Sequence, residues 1–174
     1  MIKIALPSKG ALSEEALQVV SEAGYQCRPK GRDQFVIDKE NDVEFCFLRP
    51  RDIAIYVSSG IFSAGITGRD LALDSEYPYE ELLALGFGTS SFCYAAPRDS
   101  DITSSCQFDG HRIATSYANL VKQDLSRREL NADVVRLDGA VEIAVRLGVA
   151  DAIADVVESG RTLENAGLRI LEEP

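Results

Sequence analysis

Histidine and closely spaced cysteines are scarce in this chain of 174 residues, and their scarcity argues against common kinds of metal and disulfide site. His111 is the only histidine, and the four cysteines are widely separated without a C-x-x-C motif. Zinc sites need several such ligands at short spacing, so we expect none, and we place His111 at the edge of a loop. In a chain without an export signal, four scattered thiols are expected to be reduced.

Long apolar runs, internal repeats and low-complexity tracts are also missing. The apolar stretch over residues 1–7 is too short for a signal peptide and is interrupted by Lys3, so we expect a first strand there. The composition, 45% hydrophobic and 26% charged, is typical of a globular protein. We therefore expect a cytoplasmic protein without a membrane span.

A surplus of positive charge is absent as well. The formal net charge is -10, which argues against a nucleic-acid-binding surface. A phosphate site in so acidic a chain requires cations and helix N-termini concentrated at one place, with a divalent metal carrying part of the charge.

Strand and helix patterns alternate along the chain, which predicts an α/β fold with mostly parallel sheets. We expect a first lobe over 1–95 and a second over 96–174. Gly24 is expected to end the first helix and Gly60 the second. Further expectations are Ser13 as the N-cap of the first helix, Pro50 at the start of the second, a strand over 62–67 and a helix from Asp138 through Leu147.

The strongest local signal lies near the end of the chain, in the segment 151–163. A buried strand leads to Ser159, Gly160, Arg161 and Thr162, where a helix begins. Unpaired N–H groups, hydroxyls, a guanidinium and a flexible glycine at one point favour a phosphate site. Asp155 would lie at its mouth, where a carboxylate suits sugar hydroxyls or a metal. The alternative is a capped surface turn with a solvated aspartate.

Other candidate residues allow two interpretations each. Glu142 either stabilises a helix N-terminus or accepts a ribose hydroxyl. Tyr117 is either a core tyrosine or an aromatic wall for a purine ring.

Three cations follow predicted strands: Lys9, Arg49 and Arg69. Each alone is typical of a solvated surface, but such junctions line the ligand cleft of α/β sheets. Asp70 either orients one of these arginines or reaches a base or metal.

Several of these segments together resemble ATP phosphoribosyltransferase. The stretches are ALPSKG at 5–10, LRPRDIAIYV at 48–57, GITGRD at 65–70, IATSYANL at 113–120, LDGAVE at 137–142 and GVADAIADVVESGRTL at 148–163. The resemblance implies a two-lobed, periplasmic-binding-protein-like (type II) fold with a cleft between the lobes. It also implies transfer of the phosphoribosyl group of PRPP (phosphoribosyl pyrophosphate) to N1 of ATP, the first step of histidine biosynthesis.

Roles for individual residues follow from the same resemblance. It assigns the 5′-phosphate of PRPP to Glu158, Ser159, Gly160, Arg161, Thr162 and Leu163, and the ribose to Glu142 and Asp155. It assigns the ATP and pyrophosphate side to Lys9, Gly10, Arg49, Arg69 and Asp70, and adenine to Tyr117. It implies Mg²⁺ carried with the pyrophosphate rather than bound by the protein directly, and a homo-oligomer.

The resemblance also has departures and competitors. Relatives continue with a segment that completes the first lobe, and long forms add a histidine-binding regulatory domain; neither is present in these 174 residues. The competing interpretations are a ligand-binding sensor module, a truncated relative that binds without turnover, and a phosphoribosyltransferase with another acceptor base.

Overall fold

Two separate β-sheets organise the structure, a computed structural model that describes residues 1–157 and 160–171. The chain divides into unit 1, Met1–Gly88, and unit 2, Thr89–Pro174. The boundary expected at residue 95 falls inside a strand, Ser91–Pro97, whose partner strands belong to unit 2. That strand therefore lies wholly in unit 2.

Unit 1 alternates strands and helices, as the sequence pattern predicts. Strand β1 pairs in parallel with β3 and β4, and β2 pairs antiparallel with β3 at the edge. The elements are β1 (Ile2–Pro7), α1 (Ala11–Glu22), β2 (Phe35–Asp38), β3 (Val43–Leu48), α2 (Pro50–Ser58), β4 (Ala64–Gly65) and α3 (Arg69–Asp74). The sheet order is β2-β3-β1-β4.

The ends of the first two helices mostly follow the sequence signals. Gly24 and Gly60 adopt positive φ directly after α1 and α2, as expected of terminating glycines. Pro50 is the first residue of α2. The expectation of Ser13 as N-cap is wrong, because Gly10 caps α1 and the Ser13 amide already donates to the Gly10 carbonyl.

Helices cover both faces of the unit 1 sheet. Leu17 of α1 packs with Leu6 and Phe45 on one face, and Ile53 of α2 packs with Ala5 on the other. Helix α2 approaches the sheet closely at Gly65, where an added Cβ would lie 2.5 Å from Ile53 Cγ2. The strand expected over 62–67 is reduced to Ala64–Gly65, at the edge of the sheet.

Unit 2 repeats the strand-helix alternation around a mixed sheet. Its elements are β5 (Ser91–Pro97), β6 (Arg112–Thr115), α4 (Ala118–Arg127), β7 (Asp133–Arg136), β8 (Ala152–Val157), α5 (Arg161–Asn165) and β9 (Leu168–Ile170), with 3-10 turns at Ser105–Gln107 and Val141–Ile143. The order is β7-β6-β8-β5-β9, in which β6 is parallel to β7 and β8, and β5 is antiparallel to β8 and β9.

Both faces of the unit 2 sheet are buried. Val121 and Leu125 of α4 pack with Ile113 on one face, and Val141 and Leu163 pack with the strands on the other. The helix expected from Asp138 through Leu147 is wrong. Ala140 adopts a left-handed conformation with φ 51°, which breaks the helical path, and a single 3-10 turn follows.

The thiols, His111 and the question of a membrane span were also subjects of the sequence predictions. All four cysteines lie in the described ranges and none forms a disulfide; only Cys106 is exposed. His111 lies outside the helices and strands, just before β6, as expected of a loop-edge residue. None of the helices in the described part of the chain has the length and apolar character that a membrane span needs.

The close approach at Gly65 generates a stability prediction. Replacing Gly65 with Ala should lower the free energy of unfolding by about 1–3 kcal/mol, because the β-branched, buried Ile53 cannot move aside without strain. Urea unfolding followed by circular dichroism measures this. Gly139→Ala is the control, since a Cβ there meets no atom within 4 Å and φ is not positive. Equal stability of the two variants would contradict the prediction.

Candidate functional site

The carboxyl ends of the parallel strands in unit 1 carry the cations that the sequence singled out. Lys9 follows β1, Arg49 follows β3, and Arg69 follows β4 after a short connection. Because these strands are parallel, their carboxyl ends lie at one edge of the sheet, where ligands bind in open α/β folds. Two hydrogen bonds tie the loops together: Ser8 N to Leu48 O at 2.7 Å and Thr67 Oγ1 to Pro50 O at 2.7 Å.

The same edge holds the N-termini of the unit 1 helices. The N-cap residues of α1, α2 and α3 are Gly10, Arg49 and Gly68. None of these has a side-chain acceptor, so none can cap the first-turn N–H groups as serine or aspartate would. The edge therefore presents backbone donors and the positive ends of helix dipoles together with Lys9 and Arg69.

Gly68 has no side chain and so leaves room for the carboxylate of Asp70, in the first turn of α3. A Cβ on Gly68 would overlap Asp70 Oδ1, so the Asp70 side chain lies back over the start of α3. Asp70 is the acidic residue of the first turn, where a carboxylate is favourable. The structure thus brings all the expected unit 1 residues, Lys9, Gly10, Arg49, Arg69 and Asp70, to one edge.

Arg69 has a partner that the sequence did not indicate. Its Nε donates to Glu81 Oε2 at 2.9 Å and its Nη2 to Glu81 Oε1 at 2.5 Å, a bidentate pair. These hydrogen bonds hold the pKa of the Glu81 carboxyl below its ordinary value and raise the pKa of Arg69. The guanidinium expected to face a ligand is thus occupied by a carboxylate of the same unit.

A second ion pair links two of the unit 1 helices to each other. Arg51 of α2 donates to Asp74 Oδ2 of α3 at 2.7 Å, and Asp74 is buried. The pair joins α2 and α3, two of the three helices whose N-termini lie at the edge. Residues 51 and 74 are far apart in sequence, so no local pattern reveals their contact.

In unit 2 the carboxyl edge of the sheet collects most of the remaining expected residues. Tyr117 follows β6, the loop with Glu142 follows β7, and Gly160 follows β8. These strands are parallel to one another, and the antiparallel β5 begins at the same edge. The contact between the rings of Phe92 and Tyr117, 5.3 Å apart and edge to face, lies there.

The predicted phosphate loop is described from Gly160 onward. Gly160 has φ 71° and is the N-cap of α5, a conformation that favours glycine. Arg161 and Thr162 are exposed, whereas Leu163 is buried and anchors the turn in the core. The two other members expected, Glu158 and Ser159, lie outside the described residues.

The two carboxylates expected at the ribose are both half-buried. Asp155 lies in β8, paired with Cys93 of β5, and its Oδ1 accepts a hydrogen bond from the Val156 amide at 2.8 Å. Glu142 lies in the 3-10 turn, next to Val141, which packs with Leu163 in one cluster. Both carboxylates therefore belong to elements that meet at this edge.

Tyr117 is more buried than a ligand-facing ring would suggest. Its side chain packs against Phe92, the residue is only 6% exposed, and its amide donates to Thr115 Oγ1 at 2.9 Å. This is the packing of a core tyrosine, one of the two interpretations that the sequence allows. The adenine contact stays a prediction.

Asp151, in the same sequence block as Asp155, has a structural role at the opposite edge. Its carboxylate accepts from Arg112 Nη2 at 2.9 Å and from the Arg112 amide at 2.9 Å. Hydrogen bonding to Arg112 holds the pKa of Asp151 below its ordinary value. The pair clamps the amino ends of β6 and β8, which aligns their carboxyl ends.

A buried polar cluster beneath α4 was also missed by the sequence. Tyr94 Oη donates to Asp124 Oδ2 at 2.9 Å, and Arg128 Nε lies 3.0 Å from the same oxygen. Burial, followed by the hydrogen bond to Asp124, raises the pKa of Tyr94 far above its ordinary value. The cluster fixes α4 on the sheet and, through it, the position of Tyr117.

Metal binding by the protein alone has no support among the described residues. Within 1–157 and 160–171, no group of three or more histidine, cysteine, aspartate or glutamate side chains is arranged to hold a metal ion.

Comparison with known families identifies the sequence blocks. The family model of ATP phosphoribosyltransferase (HisG) matches residues 49–173. ATP phosphoribosyltransferase of Corynebacterium diphtheriae is 59% identical over 173 residues, covering 99% of this chain and 61% of that protein. That of Nocardia farcinica is 61% identical over 168 residues, covering 97% of this chain and 59% of that protein. The chain thus spans about three fifths of the length of these relatives.

Solved structures agree with the sequence comparison. The ATP phosphoribosyl transferase (HisG:HisZ) complex from Thermotoga maritima contains a chain similar over 100% of this one and 83% of its own length, with TM-score 0.84 and 26% identity. The periplasmic aliphatic sulphonate binding protein SsuA of Escherichia coli is similar in fold alone, with TM-score 0.57 and 16% identity over 99% of this chain and 60% of its own. The expected α/β, periplasmic-binding-protein-like class is confirmed. The chain belongs to the ATP phosphoribosyltransferase family.

Proposed function

We propose that this protein transfers the 5-phosphoribosyl group of PRPP to N1 of ATP, giving phosphoribosyl-ATP and pyrophosphate, the first step of histidine biosynthesis. The observation that carries the proposal is the family match over residues 49–173, together with about 60% identity to the curated relatives. The positions of the matching blocks, at the carboxyl edges of both sheets, agree with a ligand-binding role.

PRPP is assigned to unit 2. In this proposal, the turn with Gly160, Arg161 and Thr162 binds the 5′-phosphate, together with Glu158 and Ser159. The exposed Arg161 guanidinium matches a phosphate in a bidentate fashion, and Gly160 allows a close backbone approach. The carboxylates of Glu142 and Asp155 accept hydrogen bonds from the ribose hydroxyls, which explains acidic residues beside a phosphate site.

The nucleotide and pyrophosphate side is assigned to unit 1. Lys9, Arg49 and Arg69 supply positive charge there, and the helix starts at Gly10 and Gly68 supply backbone donors. Such local concentration of donors allows a chain of net charge -10 to bind two polyanions. Asp70 is assigned to the same side and Tyr117 to adenine.

The chemistry requires positioning more than reactive side chains. Adenine N1 donates its electron pair to C1′ of PRPP, and the bond from C1′ to the pyrophosphate oxygen breaks, so that pyrophosphate departs with that bond's electron pair. The basic residues hold the two substrates in line and stabilise the charge on the departing oxygen. Mg²⁺, bound with the pyrophosphate, would neutralise part of that charge. No nucleophile or general base from the protein is needed.

Assembly and location complete the proposal. We infer that the chain assembles with further protein chains, since the similar Thermotoga maritima structure is a HisG:HisZ complex. The homo-oligomer is proposed from the family resemblance alone. A reaction that consumes ATP and PRPP belongs in the cytoplasm, where both are made. No role for nucleic acid or membrane is proposed.

The reaction itself gives the first test. Mass spectrometry of a mixture of this chain, ATP, PRPP, Mg²⁺ and a pyrophosphatase should detect phosphoribosyl-ATP, which disappears when PRPP is omitted. PRPP binding without product would favour a non-catalytic relative and contradict the proposed transfer by this chain. Neither binding nor product would contradict the assignment of substrates as well.

The assignment of PRPP to unit 2 predicts a selective effect of Arg161→Ala. The dissociation constant for PRPP should rise about tenfold or more, because a hydrogen bond to a charged group contributes about 1.5–3 kcal/mol. The dissociation constant for ATP should change less than about twofold, which corresponds to less than about 0.4 kcal/mol. Calorimetric titration measures both, with Arg146→Ala as an exposed control in the same unit. Equal losses for both ligands would refute this assignment.

A further inference from the structure

The Arg69–Glu81 pair joins a proposed ligand residue to the segment that leads out of unit 1. Arg69 is the first residue of α3, and its side chain is 63% exposed at the carboxyl edge. Glu81 lies in residues 76–90, which form neither helix nor strand, and its side chain is 40% exposed. The pair is therefore open to solvent and to competing anions.

The geometry of the pair is that of an arginine bound to an oxyanion. Glu81 accepts from Nε at 2.9 Å and from Nη2 at 2.5 Å, so both carboxylate oxygens engage one side of the planar guanidinium. A phosphate group uses the same paired donors, because its oxygens have a similar spacing. Carboxylate and phosphate thus compete for the same side of Arg69.

The higher charge of a polyphosphate group favours it over the Glu81 carboxylate as the partner of Arg69. While Glu81 is bound, its negative charge offsets that of Arg69 and lowers the attraction of this edge for anions. An exposed ion pair is weak, so breaking it costs little. A pyrophosphate or polyphosphate group, which carries more charge than a carboxylate, gains by replacing it.

We propose that Glu81 is an internal anion that occupies Arg69 in the free protein and is exchanged for a phosphate of the bound ligand. Glu81 thereby weakens binding of polyphosphate groups at this edge, and its return to Arg69 assists their release. The inference rests on the proposed function, because it takes Arg69 as a ligand residue. It adds a residue, Glu81, outside the sequence blocks that carry the family resemblance.

Glu81→Gln tests the exchange, because glutamine keeps the shape of the side chain and removes its charge. Pyrophosphate with Mg²⁺ is the probe, titrated calorimetrically into the 174-residue chain. We expect Glu81→Gln to tighten pyrophosphate binding about two- to fivefold, the range for loss of an exposed ion pair. Glu80→Gln is the matched control: it removes the same charge from the neighbouring residue, which is exposed and has no ion pair with any described residue.

The Arg69→Gln background supplies a second control. There, Glu81→Gln and Glu80→Gln should have the same effect, because the competing pair no longer exists. Glu81→Asp keeps the charge, but its side chain is one methylene shorter and pairs less well with Arg69. It should therefore also tighten pyrophosphate binding in the chain that retains Arg69. Circular dichroism confirms that each variant keeps its fold.

The outcomes separate this inference from the proposed function. Pyrophosphate binding by the unaltered chain with Glu81→Gln no tighter than Glu80→Gln would overturn the exchange and leave the proposed function standing. Weaker binding by Glu81→Gln would show that Glu81 positions Arg69, and would also overturn the exchange. Absence of pyrophosphate binding by the unaltered chain and all variants would overturn both.

Discussion

Parallel strand pairing is the constraint on which the candidate site depends. In unit 1, β1 pairs with β3 and β4, and in unit 2, β6 pairs with β7 and β8, all in parallel. Parallel pairing places every strand-to-helix loop of a sheet at the same edge, so residues distant in sequence become neighbours. The ion pair of Arg112 with Asp151 stabilises the parallel pairing of β6 and β8, because it fixes their register at the amino ends.

The residues at the helix starts suit each edge to the anion binding that we propose. The N-cap residues of α1 to α5 lack a carboxylate or a serine-type hydroxyl, the groups that cap a helix well. They are Gly10, Arg49, Gly68, Tyr117 and Gly160. At the unit 1 helices and at α5, no N-cap side chain accepts a hydrogen bond from the first turn, so none competes there with an anion. In the proposed function, these edges allow a chain of net charge -10 to attract phosphates locally.

Sequence patterns predicted those features that are set locally. Apolar runs located β1 and β3, and Pro50 and Gly60 bounded α2, because both residues restrict the backbone directly. The prediction of a helix after Asp138 was wrong, because nothing in the sequence indicates that Ala140 adopts a left-handed conformation. The loop residues of the site could be located since they follow strands, whereas Glu81 and Asp74 could not, because their arginine partners lie 12 and 23 residues away. Contacts at such separations depend on the tertiary fold.

The measurement that most directly tests a ligand site at the carboxyl edges is amide NMR of this 19.0 kDa chain during titration with PRPP and Mg²⁺. We expect chemical-shift changes in unit 2 centred on Tyr117, on residues 138–142 and on residues 160–163. The amides of Arg112, Asp133 and Asp151, at the amino ends of the strands, should change little. The reverse pattern, or changes spread evenly over both edges, would contradict the account.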